Sequence, residues 1–451
     1  MLDAEWTAKK KALLSKRFIV WMPLALAYFV GFFHKNAGAL VGESLKIDFA
    51  ITSAAQLGFL TSIYFYTSAV MQIPSGIIAD KFNPKQGIIG AMLFIIGGTV
   101  VSGLAPSLTV LYIGRLILSI GCAMIYINLF KIASNWWRTE EMGTISSYTS
   151  MAGNAGPLVA TVPLAYIINS VGWRGSYYLM AGVVAVAMVL CIIFTKSRPA
   201  DAGLPSWAEI EAKENGTEVA PIKAKADIKI WESLKQVMTN KQSIFAALAC
   251  GGMYGSFIAF AGIWAIPYFM QIYGFTKMEA ASILFIGQIS YIIAGPINGI
   301  LSDRLRRRKL LFCIYTFVAL LGWLLFAFWN GGKPPIWGIY LVIIMIHVGS
   351  SPVFMGLSYA REVNPPALTG MAAGVVNVGS YVGAGLMQPL FGMVLERYWD
   401  GTIINGARIY SLEAFQVGFF CCAVAIGISW LSTLCMVETR CKNISSTLQK
   451  S

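Results

Sequence analysis

Charge is scarce in this chain, and one sign of it is missing from its long apolar runs. Asp, Glu, Lys and Arg make up 12% of 451 residues, against 57% hydrophobic. All 21 acidic residues fall between these runs or at their ends. An organic-cation carrier needs an acidic group inside the membrane, because a buried charge is kept only where a partner repays it, so this pattern argues against a multidrug or amine carrier. There is no G-x-x-x-x-G-K-[ST] loop, which removes an ATP-driven pump built on that phosphate cradle. There is also no G-x-S-x-G and no metal-ligand cluster, so no enzyme, catalytic residue, metal or cofactor is expected. The 8 cysteines form no C-x-x-C pair. Most lie in apolar runs, Cys191, Cys421 and Cys422 among them, and read as small buried hydrophobes.

What is present is length and apolarity. Runs of about 20 apolar residues match the roughly 30 Å hydrocarbon core of a bilayer. Twelve can be drawn, at approximately 18–42, 55–79, 86–105, 108–131, 143–169, 175–195, 243–273, 279–302, 309–329, 336–359, 368–395 and 412–437. They do not alternate polar with apolar and are too long for barrel strands, so each is expected to be a helix that satisfies its own backbone. The basic residues orient the set. With the N-terminus in the cytoplasm, 25 of the 34 Lys and Arg fall on that side, 6 outside and 3 within spans. Both termini are therefore expected inside. The net charge of +13 is explained by topology and by anionic lipid headgroups, without nucleic acid. Residues 1–17 are charged and the first apolar run is too long for a signal-peptide core, so this end is expected to stay as a cytoplasmic tail and first helix.

The chain reads as two related halves. Residues 18–195 and 243–437 each carry six spans, with a polar linker at 196–242 and a cytoplasmic tail at 438–451. The linker holds 8 basic and 7 acidic residues, and a short amphipathic helix is expected near Ile228–Val237. One motif occurs in both halves. Gly76-Ile-Ile-Ala-Asp80-Lys81, with Lys85 following, stands after the second span. Gly299-Ile-Leu-Ser-Asp303-Arg304, with Arg308 following, stands after the eighth, offset by 223 residues throughout. Such internal repeats are typical of secondary transporters, whose substrate site lies between the repeats near the midplane.

This G-x-x-x-D-[RK]-x-x-x-[RK] pattern, present in both equivalent loops, resembles the signature of the major facilitator superfamily over roughly residues 18–440. The resemblance implies a fold of two six-helix bundles, substrate transport by rocking residues 1–205 against 241–451, and a gating role for Gly76, Asp80, Lys81, Lys85, Gly299, Asp303, Arg304 and Arg308. Arg115, in Gly114-Arg115-Leu-Ile-Leu-Ser-Ile-Gly121, resembles the family's fourth-helix motif. Gly153-Asn-Ala-Gly156-Pro157 resembles part of the fifth-helix motif of antiporters, but Val159-Ala160 stand where a Gly-Gly pair closes that motif, so no direction of transport follows. Phe33-His34-Lys35-Asn36 sits where anion-transporting members, such as the glycerol-3-phosphate antiporter and sugar-acid symporters, carry a basic cluster. His replaces an Arg there, and imidazole cannot make the two-pronged contact of a guanidinium, so an organophosphate is not assigned.

The ionisable groups inside the spans are His34, Lys35, Arg115, Lys131 and His347, all basic or neutral. A cavity lined this way favours an anion. Lys35 is about 8 residues from Glu43, roughly 12 Å at helical rise, which is far for a side chain snorkelling to the interface. Lys35, His34 and Arg115 are candidates for the substrate. Arg115 also reads as a helix–helix contact, and Lys131 as a snorkelling residue near the end of its helix. His34 and His347 are the 2 histidines and are candidates for proton coupling, against packing roles for both. On the eleventh span Asn377, Tyr381 and Gln388 fall at i, i+4 and i+11, on one helical face. They read as ligand-lining groups or interhelical hydrogen bonders. Gly370, Gly374, Gly379 and Gly383 permit close helix packing. Tyr64, Tyr66, Tyr254, Trp264 and Tyr291 are candidate pocket walls.

The expectation is thus an all-α integral membrane protein in a bacterial inner membrane. It moves a small organic anion, a carboxylate, by alternating access, with protons or by exchange, and acts as a monomer. The alternatives are a carrier for amino acids or small peptides, and a non-transporting sensor or scaffold.

Overall fold

The computed structural model describes residues 4–40, 45, 48–49, 54–159, 162–215, 229–404 and 407–448. Among the described residues the regular structure is helical apart from one two-residue strand pair, Ile403–Ile404 with Ala407–Arg408. The helices over the first six expected spans are α1 (Ala4–Leu40), α2 (Ala54–Lys81), α3 (Pro84–Gly103), α4 (Leu108–Trp136), α5 (Met142–Val159) and α6 (Val162–Phe194). In the linker lie α7 (Trp207–Asn215) and α8 (Ile230–Thr239). Then come α9 (Lys241–Ala259), a π-helical segment Phe260–Trp264, α10 (Ala265–Tyr273), α11 (Lys277–Leu305) and α12 (Arg308–Phe328). The chain closes with α13 (Ile336–Ser350), α14 (Met355–Val363), α15 (Thr369–Arg397), α16 (Leu412–Cys435) and α17 (Ser445–Leu448).

Ten helices among the described residues are long and apolar enough to cross a membrane. The backbone is also helical over the run 55–79, in α2, and over the described part of the run 143–169, in α5 and the start of α6. Polar residues at the loops start the helices. Asn83 accepts from the Lys85 N–H with Pro84 at the first helical position, and Ser107, Asn240 and Ser411 cap α4, α9 and α16 in the same way. Thr276 and Glu279 form a reciprocal capping box at α11.

The described chain divides into two compact units. One comprises Met1–Val237 with Pro365–Gly374, the other Met238–Asn364 with Val375–Ser451. In the first unit the expected N-terminal tail is helical and continuous with the first span. Lys9 pairs with Glu5 one turn away, Lys10 with Glu214 at 2.6 Å and Arg17 with Glu141 at 2.8 Å, so the helix is held by side chains well beyond the apolar run. The linker is helical near Ile228–Val237, as α8. It also holds α7, which the sequence did not suggest. Trp207 of α7 donates to the Trp136 carbonyl at 2.8 Å, and the Arg138 guanidinium lies 4.4 Å over the Trp207 ring. At another edge, Trp173 and Arg174 both bind the Asp48 carboxylate, and these two donors hold it below the usual carboxylate range.

The second unit is cored by aromatics. Phe326 and Phe419 stack at 4.2 Å, Phe260 meets Trp323 edge-on at 5.6 Å, and the buried Tyr268 hydroxyl donates to the Gly332 carbonyl at 2.6 Å. Here α9 and α15 pack backbone to backbone. A Cβ on Gly379 would stand 2.2 Å from the Ala247 carbonyl oxygen, and one on Gly383 2.0 Å from that of Gly251. No side chain fits at either position, so glycine is what permits the approach.

Candidate functional site

In the first unit His34 and Arg115 come together. Both are buried, at 0% and 1% exposure, and Arg115 Nη1 donates to the His34 carbonyl oxygen at 2.8 Å. This clasps α1 to α4. It satisfies an acceptor on α1 and fixes the guanidinium between two helices, neither of which carries an acid within its apolar run. Neither ring nitrogen of His34 has a hydrogen-bond partner among the described residues. A buried polar group left unpaired costs about 1–3 kcal/mol, so such a group calls for an explanation in ligand, water or proton. The backbone of Lys35 and Asn36 is helical, but their side chains lie outside the described residues. Tyr64 is buried at 2%, whereas Tyr66 is 60% exposed, beside Val70 one turn on, and so does not join the buried group.

His347, in the second unit, is housed differently. Its Nδ1 lies 2.8 Å from the Ile343 carbonyl, its ring stands edge-on to Phe257 at 5.0 Å, and it fills the space over Gly287. Phe257 in turn stacks on Tyr291 at 5.1 Å. Of the two histidines, only His34 has both nitrogens free of described partners. Tyr254 and Tyr381 meet at 6.2 Å between ring centroids. Asn377, Tyr381 and Gln388 share one face of α15 and are each half-buried. The opposite face carries Val382, Leu386, Leu390 and Met393, all exposed as lipid-facing residues should be. The polar stripe therefore faces inward. Trp264 stacks on Phe391 at 6.0 Å.

The repeated loops are wired in two ways. In the first unit Asp80 binds Lys131 Nζ at 2.6 Å, and its two oxygens accept from the backbone N–H groups of Gly370 and Met371 at 2.9 and 2.7 Å. Asp80 thus caps the first turn of α15. Gly76 allows this, because a Cβ there would come within 2.6 Å of the Gly370 carbonyl oxygen. Lys131, read from the sequence as snorkelling, is instead the salt-bridge partner of Asp80. Lys85 turns away and donates to the Ile192 carbonyl at 2.7 Å.

In the second unit Asp303 binds Arg308 of its own motif at 2.5 Å. The fully buried Arg308 also holds Glu362 at 2.9 Å and Ser302 at 2.9 Å. The Glu362 carboxylate accepts from Thr439 Oγ1 at 2.5 Å, and its backbone carbonyl accepts from the Ile444 N–H at 2.8 Å. Gly299 is buried, and Lys81 and Arg304 are exposed. The sequence missed Glu362 and Thr439, whose only local signal is their position just beyond a span. Among the described residues no group of His, Cys, Asp and Glu is arranged to hold a metal.

The sequence model described as Major Facilitator Superfamily matches residues 17–388. The chain belongs to the major facilitator superfamily. It is an integral membrane transporter. The probable sulfoacetate transporter SauU of Cupriavidus necator is 24% identical over 414 residues, spanning 88% of this chain and 93% of its own. The probable galactarate/D-glucarate transporter GudP of Bacillus subtilis is 19% identical, spanning 87% and 88%. The phosphoglycerate transporter protein of Salmonella typhimurium is 24% identical, spanning 83% and 82%. Among solved structures, the transporter's fold is similar to that of the proton:xylose symporter XylE, with TM-score 0.74 and 16% identity over 97% of this chain and 99% of the other. It is also similar to the E. coli fucose:proton symporter FucP, with TM-score 0.66 and 17% identity over 92% and 99%.

Proposed function

We propose that this transporter carries a small organic anion, a carboxylate, by alternating access, with transport coupled to protons or to exchange. The carrying observation is the buried Arg115 guanidinium beside His34, in helices without an interior acid. The names of the curated relatives support this reading, since sulfoacetate, glucarate and phosphoglycerate are all anions. In this reading there are twelve spanning helices, both termini are cytoplasmic and the membrane is a bacterial inner membrane. Lys35 supplies a second cation to the substrate. Asp80 and Asp303 with their partners form the cytoplasmic gate. His34 is the proton carrier in this reading, because both its ring nitrogens lack a described partner while His347 is engaged by backbone and aromatic neighbours.

The test is a thermal-stabilisation screen of purified protein against sulfoacetate, D-glucarate, 3-phosphoglycerate, D-gluconate, zwitterionic amino acids and organic cations. Stabilisation by one or more acids, lost in Lys35→Met, is expected. Stabilisation by cations alone would overturn the reading, and stabilisation by amino acids alone would favour an amino-acid carrier. In proteoliposomes His34→Gln is expected to abolish the pH dependence of uptake and to retain exchange of internal for external substrate. An unchanged pH profile would remove His34 from the coupling step.

A further inference from the structure

The second unit holds a hydrogen-bond donor that nothing around it uses. Trp264 Nε1 is buried and finds no acceptor among the described residues. Its ring is held firmly, stacked on Phe391 at 6.0 Å and edge-on to Tyr410 at 6.0 Å. Trp264 ends the π-helical segment Phe260–Trp264, where α9 is interrupted, and such single-turn interruptions recur at functional sites because they redirect side chains. Beside this turn lies a second unused group. Gln388 approaches Gly262, where a Cβ would stand 3.8 Å from its Nε2, and it makes no hydrogen bond among the described residues. Gln388 is on the inward face of α15, opposite the exposed Leu386, together with Asn377 and Tyr381. Residues 243–273, 280–302, 310–328, 336–359 and 375–395 contain no Asp, Glu, Lys or Arg. These stretches of α9 to α13 and α15 are therefore uncharged, and the unit's buried pair, Arg308 with Glu362, lies at the loop ends outside them.

We infer that Trp264 Nε1 and the Gln388 amide form a neutral subsite for substrate hydroxyl oxygens, and that the transporter thereby selects hydroxylated acids over bare ones. The inference rests on the anion reading above and deepens it. An indole N–H donates only, and an amide donates and accepts, so together they match a hydroxyl, which does both. The helices at this turn offer a second carboxylate no cation, and beyond the ring Tyr410 is bonded to Glu396, which already pairs with Arg408. Selection follows from the cost of leaving buried donors unpaired. A site built around a substrate hydroxyl rejects the analogue that lacks it far more strongly than an apolar pocket rejects an added group.

The experiment compares acids of equal length by direct binding to the purified transporter, with D-gluconate against hexanoate and D-glucarate against adipate. Wild type is expected to bind the hydroxylated member of at least one pair about tenfold more tightly or better. Trp264→Phe keeps the ring and removes the N–H, and Gln388→Leu removes the amide. Each is expected to weaken the hydroxylated acid by about 2- to 13-fold, one hydrogen bond's worth. The bare acid should be unaffected. The thermal midpoint of each unliganded variant checks folding, and the second substitution covers failure of the first. Equal binding within both pairs, or an unchanged ratio in both variants, overturns the subsite and leaves the anion reading standing. Binding of no acid at all overturns both.

Discussion

The two copies of the gate motif share a spacing and differ in wiring. Asp80 uses its carboxylate on two neighbouring helices, through Lys131 of α4 and two N–H groups at the start of α15. Asp303 spends its own on Arg308, five residues on, which ties the loop to itself and to Glu362. The basic residue that closes the first copy, Lys85, reaches a backbone carbonyl instead. The first loop is thus a clasp that joins α2 to α4 and to the first turn of α15. The second is a buried knot. An identical spacing does not dictate an identical circuit, because the acid's partner is chosen by whichever donor the packing brings nearest.

The largest effect is expected at the knot. Arg308→Met leaves the fully buried Glu362 without its cation, and breaking a buried pair in this way costs about 3–5 kcal/mol. Thermal unfolding in detergent should show a strong fall in midpoint or little folded protein, with Arg308→Lys in between. A midpoint equal to wild type would mean that the pair carries no structural weight. A smaller structural effect and a larger functional one are expected at the clasp. Asp80→Asn removes the charge that holds Lys131 and the α15 N–H groups, so the protein should fold and insert but transport slowly or not at all. Transport at the wild-type rate would end the gating role of this loop. The smallest effect is expected at Lys85→Met, which loses one hydrogen bond to a carbonyl, about 0.5–1.5 kcal/mol. If its midpoint fell as far as that of Arg308→Met, the contrast between the two loops would be false.

Much of the fold was legible because lipid leaves few options. A run of apolar residues long enough to cross it must be a helix, and the repeated loop divided the runs into halves. The inward face of α15 was also legible, since Asn377, Tyr381 and Gln388 share one side of a wheel and the exposed residues occupy the other. Contacts across long stretches of chain were not. Glu362 is 54 residues from Arg308 and Thr439 another 77 on, and nothing local marks either as its partner. Lys131 looked like a snorkelling residue because it stands near the end of its helix; the acid that holds it comes from α2. The difference between His34 and His347 was also invisible, since it lies in what surrounds each ring. The Lys35 side chain, the first choice for the substrate, lies outside the described residues.

The glycine contact between α9 and α15 has a mechanical consequence. Two rods touching backbone to backbone over more than one turn cannot bend independently, since any tilt of one drives its carbonyls into the other. Compliance is therefore confined to the stretch beyond the contact, where the π-helical segment Phe260–Trp264 already loosens the regular ladder. Bending there swings α10 while Ala247–Gly251 stay fixed against Gly379–Gly383. Trp264 sits at that elbow, so the residue with the unused donor lies where the helix is least regular.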